Sequence, residues 1–79
     1  MKISKQIKES FTKLGLHIKQ LREDRSINIK ELSIRTGIRK EYLKKIEKGT
    51  AYGVMIERHL VKIAKTFNIK LFELFDYEG

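Results

Sequence analysis

Nine residues near the middle of the chain, Lys40 to Lys48, combine charge and spacing in a way that invites a chemical reading. Lys40, Glu41, Lys44, Lys45 and Lys48 stand at positions i, i+1, i+4, i+5 and i+8, one face of a helix. Four of the five are lysine. Like charges four apart destabilise a helix by a few tenths of a kcal/mol per pair, so Lys40–Lys44 and Lys44–Lys48 have no rationale in helix stability. A dense cationic face of this kind suits a polyanion. Its plain alternative is a solvated surface, the usual fate of charge runs.

Other chemistries find little support. His17 and His59 are far apart and have no acidic or cysteine partner at ligand spacing, so no metal or cofactor is expected. The chain has no cysteine, which removes disulfides and thiolate sites and suits a reducing compartment. Seventy-nine residues are expected to form one domain, 1–79, with a core burying only about 60% of the unfolded chain's surface. That leaves little room for an enclosed catalytic pocket, and neither an enzyme nor a small-molecule ligand is expected. Apolar runs of two or three residues are too short for a membrane span, and Met1–Ser10 is too charged for a secretory signal. The expected location is the cytoplasm.

The charge is unevenly distributed. Residues 1–48 carry fourteen basic and six acidic side chains, whereas residues 49–79 carry four of each. The overall +8 therefore belongs to the first part of the chain, as expected where one face meets nucleic acid. A Lys- and Ile-rich composition could also reflect an AT-rich genome, so pattern must decide.

The elements that position the lysine face read clearly. Ile7, Phe11, Leu14, Ile18 and Leu21 step by four, three, four and three, predicting a first helix from about Ser4 to Asp24. Ile3 continues the stripe, so the extension at 1–10 is expected to be helical rather than a loose basic arm. Asn28 opens a second helix and forms a capping box with Glu31, with Ile29, Leu32 and Ser33 facing inward and Gly37 as its stop. The third helix is the lysine helix, Lys40–Lys48, with Tyr42, Leu43 and Ile46 inward and Gly49 beyond it. A loop at 50–55 precedes a fourth helix marked by Ile56, Leu60, Ile63, Ala64 and Phe67. Leu71, Leu74 and Phe75 predict a short fifth helix before a frayed tail at 76–79.

Helix, short helix, glycine turn, short basic helix and glycine is the order of a helix-turn-helix unit. The run Ile18-Lys-Gln-Leu-Arg22, then Leu32, Gly37-Ile38, Tyr42-Leu43 and Ile46-Glu47-Lys48-Gly49, resembles the phage repressor and Cro family of XRE-like transcriptional regulators. Leu60-Val-Lys-Ile63-Ala64-Lys, Phe67-Asn-Ile69 and Leu74-Phe75 extend the likeness, which covers about residues 14–75. The resemblance implies an all-α, compact five-helix repressor-like domain whose second and third helices form the helix-turn-helix. It implies a sequence-specific regulator, a homodimer on a near-palindromic stretch of double-stranded DNA, with the third helix in the major groove. Lys40, Glu41, Lys44 and Lys45 are then the base-reading residues, since Lys can donate to guanine and Glu can accept from cytosine. Asn28, Lys30, Arg39, Lys48, Thr50 and Tyr52 would lie nearer phosphate.

The family pattern also implies a structural ion pair between Arg22 and Glu47. Three positions depart from it: Arg39 stands where Ser or Thr usually caps the recognition helix, Ile29 stands where Gln often touches the backbone, and the loop after Gly49 is about two residues longer and lacks proline. Phe72, Phe75 and Tyr77 are more aromatic surface than a small core absorbs, and a dimer contact is the expected use. The rival from another class is a protein-interaction module of the same fold, antitoxin-like, binding a protein partner with DNA secondary. A neutral or acidic third helix would favour that rival; the lysines favour DNA.

Overall fold

The computed structural model describes residues 4–77. Helix α1 spans Lys5–Asp24 and is opened by Ser4, whose hydroxyl accepts the Ile7 N–H at 3.2 Å. It ends where Ser26 turns left-handed at φ 55°. Helix α2, Ile29–Thr36, begins at Asn28, whose side chain accepts the Glu31 N–H at 2.8 Å. Only this half of the expected capping box is present, because the Glu31 carboxylate pairs with Arg35 at 2.6 Å instead. An exposed i, i+4 pair competes well with a return bond that would bend Glu31 back on its own turn.

The turn between α2 and α3 (Lys40–Lys48) is fixed from both sides. Gly37 at φ 74° ends α2 and donates its N–H to the Ser33 carbonyl. Ser33 Oγ donates to the Ile38 carbonyl at 2.6 Å, and Thr36 Oγ1 accepts the Ile38 N–H at 3.2 Å while donating to Leu32. Two small hydroxyls thereby satisfy backbone groups that a tight turn would otherwise bury unpaired. Thr36 is itself buried, an inward position that the apolar pattern does not reveal.

Beyond Gly49 (φ 78°) the loop 50–55 leads into a π-helical turn, Ile56–Leu60, which continues into α4, Val61–Thr66. The Leu60 N–H reaches the Met55 carbonyl at 3.2 Å, five residues back. The expected fourth helix thus starts with a wider turn, and Ile56 remains exposed. The expected fifth helix is a 3-10 helix, Leu71–Phe75, so the described residues hold four α-helices and no strand. Ile3 and residues 78–79 lie outside the described residues.

The core draws one fully buried side chain from each of the four α-helices and from the 3-10 helix: Ile18, Leu32, Leu43, Ile63 and Leu74. Burying each contributes roughly 1.5–3 kcal/mol relative to exposure. Gly15 sets the closest approach. A Cβ there would meet the Ile46 carbonyl oxygen and lie 2.7 Å from that of Glu47, so only glycine lets α3 lie directly against α1. Arg25 closes the far end, donating Nε to the Phe67 carbonyl at 3.2 Å with its guanidinium 5.2 Å from the Phe67 ring centre. His17 donates Nδ1 to the Leu74 carbonyl at 2.8 Å and so tethers the 3-10 helix to α1.

Candidate nucleic-acid interface

Helix α3 is sharply two-sided. Leu43 and Ile46 are buried, and Tyr42 is half-buried against the core. Lys40, Glu41, Lys44, Lys45 and Lys48 are all exposed. The inner face is locked by apolar packing, which fixes the rotation of the helix and hence the direction of its lysines.

Arg22 and Glu47 hold this helix to α1. Nε lies 2.7 Å from Oε2, Nη2 lies 3.1 Å from Oε1, and Nη1 donates to the Ile27 carbonyl at 2.9 Å. Both side chains are largely buried, 13% and 8% exposed, so the charges are shielded from water and depend on each other. The hydrogen bond to Glu47 outweighs burial and raises the Arg22 guanidinium above its ordinary range.

Two open concavities flank α3. One, of about 310 Å³, is lined by Lys19 of α1, Ile29 of α2 and Lys44 and Lys48 of α3, with Arg22 and Glu47 at its floor. The other, of about 350 Å³, joins Gly37, Ile38, Arg39 and Tyr42 to Arg58, His59 and Lys62. Arg39 makes no capping bond to α3 and is exposed, leaving its guanidinium available. The His59 ring packs at a tilt against Tyr42 with ring centres 4.9 Å apart, and its Nδ1 accepts the Met55 N–H at 2.9 Å. Burial first, then Arg58 and Lys62, lower its pKa, which favours the neutral ring.

The other residues singled out by the sequence fall into separate groups. Asn28 and Lys30 lie exposed at the start of α2, with the Asn28 oxygen committed to capping. Thr50 is exposed but bonds its N–H to the Lys45 carbonyl at 2.9 Å, and Tyr52 sets its ring edge-on to Phe11 with centres 5.2 Å apart. Phe75 and Tyr77 line an apolar groove of about 260 Å³ with Phe11, Leu14, Ile56 and Leu60. Phe72, 64% exposed, is not in that lining and carries Lys70 Nζ 6.0 Å from its ring centre. Lys19, Arg58 and Lys62 are basic neighbours of α3 that sequence reasoning missed. Each reads as an outward residue of its own helix, and nothing local tells which helix crosses nearby.

Among the described residues no three His, Asp or Glu side chains come together in a way that could hold a metal. No helix of theirs is long and apolar enough to cross a membrane.

Comparison with known proteins agrees with this geometry. The chain is 34% identical over 65 residues to the HTH-type transcriptional regulator SlrR of Bacillus subtilis (strain 168), an alignment covering 82% of the chain and 42% of that protein. The matched segment therefore spans less than half the length of this relative. No solved structure matches the chain. Residues 17–79 match the Cro/C1-type HTH DNA-binding domain, a family of DNA binders rather than enzymes, and the chain belongs to that family.

Proposed function

We propose that the protein is a sequence-specific transcriptional regulator acting on cytoplasmic DNA, a single domain over residues 1–79. In this reading α2 and α3 are the helix-turn-helix, and α3 enters the major groove of a near-palindromic operator half-site bound by a homodimer. Lys40, Glu41, Lys44 and Lys45 read base edges. Asn28, Lys30, Arg39, Lys48, Thr50 and Tyr52 approach phosphate, joined by Lys19, Arg58 and Lys62. Phe72, Phe75 and Tyr77 serve the contact between copies.

The observation that carries the reading is the exposed lysine face of α3, set between two concavities that are themselves lined by basic side chains. A face that sets Lys40, Lys44 and Lys48 four apart and is flanked by cations fits a phosphate-rich ligand better than solvent alone. The Bacillus relative, named as a transcriptional regulator, supports the same conclusion. Selection of duplexes from a random pool by the purified chain tests it. Enrichment of one paired motif is expected, and retention of all sequences alike would refute sequence-specific reading.

A further inference from the structure

The match to the Cro/C1-type domain begins at residue 17, yet α1 begins at Lys5, so about three helical turns stand in front of that matched segment. Lys5, Lys8, Thr12 and Lys19 are spaced by three, four and seven residues and share one face of α1. That face is the one α3 crosses. A Cβ on Gly49 would lie 2.5 Å from Thr12 Cα, so the end of α3 rests on α1 at Thr12. Lys19 lies on one side of this crossing, in the concavity with Lys44 and Lys48. Lys5 and Lys8 continue the face on the N-terminal side of Thr12, about two turns and one turn away. The strip from Lys5 to Lys19 is about 21 Å long at 1.5 Å per residue.

From this placement we infer that the first turns of α1 carry a second phosphate-binding strip, Lys5 and Lys8, which lengthens the DNA footprint beyond the helix-turn-helix. The inference rests on the proposed DNA binding. The helix dipole disfavours these lysines: the N-terminal end of a helix favours anions, and the first turn of α1 holds no acidic residue. Both lysines are exposed, and neither is drawn into the Arg22–Glu47 or Arg35–Glu31 pair. Glu9 stands at the margin of the strip and limits its charge without interrupting it. Phe11, on the same added turns, meets Tyr52 of the loop edge-on, so the extension packs against the loop.

The test is the salt dependence of duplex binding by the full chain, by Lys5→Ala/Lys8→Ala, by Lys5→Gln/Lys8→Gln and by Lys44→Ala. Removing one lysine–phosphate pairing should flatten the log–log slope by about 0.9, so each double variant should flatten it by about 1.8. Their affinity for selected and random duplex should fall by the same factor. Because the substituted lysines oppose the helix dipole, their melting temperatures should equal or exceed the wild type's. An unchanged slope in the double variants, with wild type binding and Lys44→Ala weakened, overturns the second strip alone. A wild-type chain that binds no duplex overturns the DNA-binding reading and the strip with it.

Discussion

Arg22 and Glu47, 25 positions apart, meet through two contacts at 2.7 and 3.1 Å, and the same guanidinium bonds the Ile27 carbonyl. One arginine thus joins α1, the loop before α2 and the lysine helix. Glu47→Ala would strand a largely buried cation, a loss on the order of 3 kcal/mol. For a domain of this size that is a large share of total stability. Thermal denaturation of Glu47→Ala beside Glu23→Ala, an exposed carboxylate of α1, measures it. Glu47→Ala should melt far lower; two equal, small shifts would contradict the structural role.

Glycines at three positions should respond differently to the same methyl group. Gly15→Ala drives a side chain into the Ile46 and Glu47 carbonyls, and backbone cannot yield as a flexible side chain would. A loss of about 3 kcal/mol or more is expected. Gly37→Ala meets open space and carries only the strain of φ 74°, about 1–2 kcal/mol. Gly49→Ala combines both penalties. Denaturant midpoints should rank Gly37→Ala as the mildest of the three.

His59 provides a pH signature. Its pKa is lowered in the folded chain, by burial first and then by Arg58 and Lys62, so the unfolded chain takes up the proton more readily. Stability is then complete above pH 6.5 and falls as pH drops through 6.5 toward the lower folded value. Protonation also removes the lone pair that accepts the Met55 N–H. His59→Gln should flatten the stability profile below pH 6.5 relative to wild type. An identical profile in the variant would assign the dependence to other groups.

Much of this architecture is legible in the sequence because local and tertiary signals agree there. The stripe Leu14–Ile18 and the stops Gly37 and Gly49 mark elements through periodicity and left-handed geometry alone. The π-helical turn at 56–60 is different. Its apolar spacing, Ile56 to Leu60 to Ile63, fits an ordinary helix, and only packing selects the wider turn. The 3-10 helix at 71–75 is too short for periodicity to distinguish from an α turn. The lysine face of α3 is visible from spacing. Its basic surroundings are not, because Lys19, Arg58 and Lys62 reach it from other elements, and only the way those elements cross brings them close.

The aromatic C-terminal end bears on assembly. Phe72 is largely exposed and contributes little to the core, so Phe72→Asp should fold normally. If copies meet there, a carboxylate in an apolar seam should give a monomer in sedimentation and weaken binding to a paired site. Phe75→Asp, in the apolar groove, should act in the same direction with some loss of stability. A wild-type chain that stays monomeric at tens of micromolar and on DNA would contradict the homodimer.

Sequence reading by the exposed face of α3 turns on Glu41. A carboxylate among phosphates is repelled unless it accepts a hydrogen bond from a base or restrains a neighbouring lysine. The measurement is the affinity of wild type and Glu41→Gln for the selected operator and for random duplex at one fixed salt concentration. Glu41→Gln should bind random duplex more tightly and narrow the gap between operator and random DNA by about 1–3 kcal/mol. A gap that remains intact would contradict this assignment of the reading face.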